Sequence, residues 1–341
     1  MKHSKSTIIK KPFLTRREFL GVTLAGGLTA FSAIKLLNLY KNFKYRAETF
    51  IAGADNYTID FSKIILSGFK ELGITPEEIK NKRILLKPNL VETHEGSVHI
   101  NTHPLVIHGA AEAFLTLGAK KVLIAEGPGH CRDSLLLVEE SGLSDVLKEN
   151  PIRFVDINYD DVYTMPNLGG ISSLENMVLP KILKSVDWIV SMAKMKTHHW
   201  AGVTLSMKNM FGLMPGSYYG WPKNVLHWAG INQCIFDINA TIKPHFAIVD
   251  GIVGMQGDGP IMGEPINSGL LIMGRNLLAV DATCARLMGI DPYKISHLAA
   301  ADHQFGTISK AFIQQRGESL SLLKTNYNLI DVIPAQQGIQ L

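Results

Sequence analysis

The stretch "RILLKPNLV" (Arg83–Val91), followed by "PLVIHGAAEAFLTL" (Pro104–Leu117) and "KKVLIAEG" (Lys120–Gly127), decides the fold. The first and third are short continuous apolar runs, too brief for a helix and without the alternation of a half-exposed strand, so they read as strands buried on both faces. The segment between them is long enough for a crossover helix, and the three together read as strand, helix, parallel strand. Four further runs of the same kind are "IRFVDI" (Ile152–Ile157), "WIVSM" (Trp188–Met192), "HFAIVDG" (His245–Gly251) and "GLLIMG" (Gly269–Gly274). Helical patterns accompany them at Asp133–Ser141, Leu179–Val186, Ile231–Ile242 and Leu277–Met288. The expectation is an α/β fold: a mostly parallel, Rossmann-like, doubly wound sheet with helices on both faces, forming a single domain over residues 47–341.

In doubly wound sheets ligands bind beyond the carboxyl ends of the strands. Polar residues gather there repeatedly. Lys87, Asn89 and Glu92 end the first run, and Glu126, Gly127, Gly129 and His130 end the next. Lys194, Lys196, His198 and His199 follow "WIVSM", with Lys208 and Asn209 a few turns on. Asp250 and Gly251 close "HFAIVDG" before the loop "GMQGDGPIMGEP" (Gly254–Pro265), which holds Asp258 and Gly259.

Lysines crowded above a low-dielectric sheet repel one another and lose charge unless something negative balances them. A small anionic molecule is one balance. It would be held by Lys87, Asn89, Glu126, Lys194, Lys208, Asn209, Asp258 and Gly259, with His198, Asp250 and Lys196 in catalytic roles. The other balance is internal, with Asp250, Asp258 and Glu126 pairing the lysines in a self-satisfied network. His198 and His199 are adjacent and diverge on any regular element, so at most one of them joins His227, His130 or Asp258 on a metal ion.

Other chemistries lack their signatures. The glycine loops have neither the G-K-[ST] ending of a P-loop nor G-x-G-x-x-G, and there is no G-x-S-x-G elbow. Cys131, Cys234 and Cys284 are far apart, so no zinc pair or iron–sulfur motif is present and no cofactor is specified.

Residues 1–46 are different in kind. Thr15-Arg16-Arg17-Glu18-Phe19-Leu20 precedes a mildly apolar, glycine-containing stretch to Ile34, the pattern of a twin-arginine export signal. Phe19–Ile34 is shorter than the roughly 20 apolar residues of a spanning helix. The expectation is recognition by the Tat translocation machinery and a periplasmic or extracytoplasmic location, the segment being either cleaved or retained as a membrane anchor. These residues carry ten Lys or Arg against one acid, so the chain's net +4 leaves the remainder at −5. A mildly acidic domain argues against a nucleic-acid surface.

The blocks "KPNLV", "KMKTHHWAGVTLSMKNMFGLMPG", "HFAIVDGIVGMQGDGPIMGEP" and "NLLAVDATCARLMGID" resemble the bacterial and archaeal domain-of-unknown-function family 362 over roughly residues 80 to 292. The K-x-K-x-H run, the K-N-x-F-G run at Lys208–Gly212 and D-G…G-D-G-P-x-x-G are the most specific of them. Some members of that family carry an added ferredoxin-like segment with close-spaced cysteines, which this chain lacks. The resemblance extends in fold to lactate-racemase-like proteins, an analogy that supplies no chemistry. The rim residues and the export signal leave two function classes: an exported enzyme acting on a small anionic substrate or cofactor, or a non-catalytic protein that stores or delivers such a ligand.

Overall fold

Along Arg83–Pro88 (β2), Ile84 and Leu86 pack into one core and Leu85 into another, as on a strand covered on both faces. The same division runs through Lys121–Glu126 (β3), where Val122 and Ile124 face one core and Leu123 and Ala125 the other. The computed structural model describes Ser32 and residues 46–92, 96–130, 133–149, 152–319, 325 and 327–330. The chain divides into two units, Met1–Tyr45 and Arg46–Leu341. The twin-arginine segment and Cys131 lie outside the described residues.

Among the described residues the main sheet has nine strands. They include β1 (Ala47–Gly53), β4 (Arg153–Asp156), β7 (Trp188–His198), β8 (Gly202–Thr204), β9 (Phe246–Gln256), β10 (Glu264–Gly274) and β11 (Ile313–Gly317). Their order is β11-β1-β10-β9-β7-β2-β3-β4, with β8 paired to β7. The five strands from β9 to β4 run parallel. A separate two-stranded ribbon joins β5 (Val162–Pro166) to β6 (Asn176–Pro180). The fold is therefore the expected α/β fold, with a mixed, mostly parallel sheet.

Helices Phe61–Glu71 and Pro104–Thr116 cover one face, with Phe61, Ile65, Phe69, Val106, Ile107 and Phe114 in that core. Each start is capped: the Asp60 side chain accepts from Lys63 N, and His103 precedes Pro104 and accepts from Leu105 N. Helices Ile231–Ile242 and Leu277–Leu287 cover the other face.

Three expectations change. "GLLIMG" belongs to β10, which is antiparallel to both β9 and β1, because a continuous apolar run carries no direction. Leu179–Val186 is the end of β6 and a single 3-10 turn, Lys181–Ser185, rather than a crossover helix. The strands "WIVSM" and "HFAIVDG" do not stop where polar residues begin: β7 continues to His198 and β9 to Gln256. Lys194, Lys196 and His198 thus sit on the strand itself, alternating with Met195 and Thr197.

Candidate functional site

Charged side chains can stay on a buried strand only when their partners travel in with them. At the carboxyl ends of β2 and β3 these partners are present. Lys87 Nζ lies 2.8 Å from Glu126 Oε2, both side chains being buried, and donates to Asn209 Oδ1 at 2.7 Å. Glu126 also accepts from the backbone of Leu90 at 3.0 Å and of Gly127 at 2.8 Å. Asn209 returns hydrogen bonds from Nδ2 to Lys87 O and Ser191 Oγ. A Cβ at position 212 would collide with both Glu126 Oε1 and Lys87 Nζ, so only glycine lets the chain pass this pair.

The pair forms part of the wall of a cavity of about 390 Å³. Further along the wall are Asn89, His198, Lys208, Lys223 and His227, with Trp200, Phe211 and Met262 supplying apolar surface. Charge here is unbalanced. Glu126 is paired with Lys87, and Asp258 contacts His199 at 3.1 Å, an ion pair only when that imidazole is protonated, which leaves one carboxylate facing two further lysines. Lys208 Nζ stands 4.2 Å over the Phe211 ring and has no carboxylate partner among the described residues. Among the described residues Lys223 Nζ donates to neutral acceptors, Asn158 Oδ1 at 3.2 Å and the Met214 carbonyl. Burial, with the neighbouring lysines adding to it, pushes both Lys208 and Lys223 down to about 7, although Glu126 pulls the other way. Two buried wall atoms, Asn89 Oδ1 and Thr204 Oγ1, have no protein partner among the described residues.

The two buried-side imidazoles are held in opposite tautomers. His198 Nδ1 accepts from Trp200 N at 3.1 Å and Ala201 N at 3.3 Å, so Nδ1 is bare and Nε2 carries the proton. Burial pushes the His198 pKa well down and keeps the ring neutral. His227 Nδ1 lies 3.0 Å from the Lys223 carbonyl, which can only accept, so this nitrogen carries the proton and Nε2 has the lone pair. His198 can therefore donate through Nε2, and His227 can accept.

Four of the residues expected at the site from the sequence, Lys194, Lys196, Asp250 and Gly259, lie apart from the cavity wall. Lys194 and Asp250 are register partners on β7 and β9 and pair with each other at 2.8 Å, both fully buried. Tyr57 hydroxyl joins them, accepting from Lys194 at 2.8 Å and donating to Asp250 at 3.0 Å, while Tyr57 stacks 3.7 Å from the His103 ring. Lys196 Nζ donates to the carbonyls of Ile100 and Pro260, and burial among other lysines pushes its pKa well down. Gly259 packs its Cα face against the Thr197 backbone, too close for a Cβ, and its carbonyl accepts from His199 N at 3.0 Å.

Lys87, Asn89, Glu126, His198, Lys208, Asn209 and Asp258 do line one cavity. Lys223 and Thr204 were not singled out in the sequence. Lys223 sits in "GWPKNV" with a left-handed backbone and no strand or helix pattern before it to place it. Asp281 was also missed: on Leu277–Leu287 it accepts from Ser206 N at 2.7 Å and Met207 N at 2.8 Å, fixing the turn Ser206–Asn209 that carries Lys208 and Asn209. Among the described residues no three His, Cys, Asp or Glu side chains come together as a metal site, and no helix is long and apolar enough to cross a membrane.

An α/β sheet with a lysine-rich cavity beyond the carboxyl ends of its central strands defines the class. The chain belongs to the family described as domain of unknown function 362, whose pattern matches residues 84–286. It is 26% identical over 230 residues to a thylakoid-associated protein of Synechocystis sp., covering 64% of this chain and 67% of that protein. Two solved structures are similar to it. A Thermotoga maritima protein has a TM-score of 0.40 at 16% identity, with 70% of this chain and 61% of that one covered. The lactate racemase apoprotein of Thermoanaerobacterium thermosaccharolyticum has a TM-score of 0.44 at 14% identity, with 73% and 58% covered.

Proposed function

We propose that residues 47–341 form an exported enzyme domain that binds a small anionic substrate or cofactor in the cavity beside β2, β3 and β7. One observation carries this reading: two lysines, Lys208 and Lys223, face a cavity in which Glu126 is already paired with Lys87 and Asp258 contacts His199, and neither lysine forms an ion pair among the described residues. An anion would restore their charge, accept from His198 Nε2–H and the Thr204 hydroxyl, and lie beside the His227 lone pair, which can take a proton. The roles first given to Lys196 and Asp250 then fall to positioning: Lys196 ties strand β7 to the Pro260 loop, and Asp250 neutralises Lys194.

Export rests on the Arg16-Arg17 motif, and the route is the twin-arginine machinery. The thylakoid association of the Synechocystis relative is compatible with a membrane-proximal place. Titration calorimetry of the purified protein with phosphate and with small mono- and dicarboxylates tests the site. Saturable one-to-one binding is expected, and the absence of heat and of any rise in melting temperature with every anion would defeat the reading. A non-catalytic carrier would use the same clamp. Native mass spectrometry separates the two, since a carrier returns its bound molecule unchanged and an enzyme converts it on incubation.

A further inference from the structure

The cavity's inner wall is mostly polar: Lys87 and Glu126 are 1% exposed, Lys223 2% and His198 4%, with Lys208 half-buried. Its exposed lining combines apolar surface, Trp200 at 51% and Met262 at 77% exposure with half-buried Ile261, and polar groups, Asp258 in contact with His199 and the exposed His130. Single exposed apolar side chains are ordinary, but several on the lip of one cavity mark a binding surface. The Trp200 ring is also fixed rather than loose, edge-on to His227 at 5.1 Å and to His199 at 4.8 Å. Size adds a second argument. A volume of about 390 Å³ falls within the roughly 300–1,000 Å³ of sites for drug-sized ligands and leaves most of its space unfilled by phosphate or acetate alone.

We infer that the ligand is an amphiphilic anion: a carboxylate or phosphate head seated against Lys208 and Lys223, with an apolar arm leaving the cavity across Trp200, Ile261 and Met262. This rests on the anion reading above and adds the ligand's second half. A head-first ligand meets buried Lys223 and half-buried Lys208 at the inner wall and exposed apolar surface at the mouth. A ligand of the reverse polarity, an alkylammonium ion, would put its charge against the lysines and is rejected.

The test is a chain-length series on the full-length protein: acetate, butanoate, hexanoate and octanoate below their aggregation limits, with the matching n-alkylammonium ions. Affinity for the carboxylates is expected to rise by up to about fourfold per added methylene until the arm reaches the lip. The alkylammonium ions are expected not to bind. The double variant Trp200→Ser with Met262→Ser, at exposed positions that the core does not need, should flatten the series, read as the ratio of octanoate to acetate affinity within that variant. Equal affinity for acetate and octanoate in the parent protein overturns the inference and leaves the anion site standing. So does an unchanged slope in the double variant, or alkylammonium binding as tight as carboxylate binding. If the series is flat and the parent binds phosphatidylcholine vesicles that the double variant does not, the lip is a membrane-docking surface instead. If no anion binds at all, the anion site and this inference fail together.

Discussion

Two buried lysine–carboxylate pairs sit on this sheet, both with 2.8 Å separations, and they have different surroundings. Around Lys194 and Asp250 every strong group is answered: Tyr57 bridges the two, and His103 N and Ile252 N complete the Asp250 carboxylate. Around Lys87 and Glu126 the pair is also satisfied, yet among the described residues Lys208 and Lys223 have no ion-pair partner and Asn89 Oδ1 and Thr204 Oγ1 no hydrogen-bond partner. The same residue types therefore make a closed structural joint between β7 and β9 and an open site at β2 and β3. Residue identity is shared between them. Local charge balance is not, and it is what separates scaffold from site.

The largest effect is expected at the closed joint. Asp250→Asn leaves Lys194 buried without a counter-charge, a change that costs about 3–5 kcal/mol of stability. Urea unfolding should show it, and no anion should restore it. A loss under 1 kcal/mol would mean that Lys194 is held by Tyr57 alone and would erase the contrast.

At the open site the same kind of change has the opposite signature. Lys208→Met keeps the aliphatic stem against Phe211 and removes the charge, so anion binding should weaken by about 1–3 kcal/mol, the scale of a charge-assisted hydrogen bond. Stability should rise. The folded-state pKa of Lys208 is depressed to about 7 from an ordinary value of 10.5, so the unfolded chain takes its proton first as pH falls. The penalty is absent above about 10.5 and complete below about 7, and the stabilisation of the variant should follow that window. Calorimetric melts at pH 6.5 and 9.5 check it: equal gains at both would show that charge is not the cause.

The parts of this contrast that sequence patterning reveals are the apolar ones. The runs in β2, β3, β7 and β9 are legible because a strand buried on two faces has no polar alternation to confuse it. β11, "IQQRG", is not legible, since its edge position leaves it polar. Polar residues mislead at strand ends: Lys194 and Lys196 read as loop because a buried lysine on a strand is rare, and only the register with β9 shows where its partner comes from. The lysine cluster itself was legible, and its division into a paired half and an unpaired half was not. That division depends on contacts such as Lys194 with Asp250, 56 residues apart, which no local pattern encodes. Lys223 was hidden for the same reason, reaching Asn158 from 65 residues away.

The pH dependence of binding sharpens the difference further. In the empty cavity Lys208 and Lys223 lose their protons near 7, and a bound anion raises both values by favouring the charged forms. Anion affinity should therefore be highest below pH 7 and fall as pH rises above it, by at most about tenfold per unit for each lysine. Proton uptake on binding, read as a dependence of calorimetric heat on the buffer's ionisation enthalpy, should be maximal between the free and bound values. Affinity that is flat from pH 6 to pH 9 would assign the clamp to groups other than these two lysines.

The smallest effect is expected at Thr204, where an unpartnered hydroxyl lines the cavity on β8 opposite Lys196 in register. Thr204→Val keeps the shape and the β-branched backbone preference while deleting the hydroxyl. A buried hydroxyl that makes no protein hydrogen bond contributes nothing to folding, so stability should stay level or rise slightly. If that hydroxyl is reserved for the ligand, anion binding should weaken by about 0.5–1.5 kcal/mol, the net worth of one hydrogen bond. The two readouts move independently only if the atom belongs to the open site. A loss of stability with unchanged binding would instead place Thr204 with Tyr57 and Asp250 among the groups that hold the sheet together.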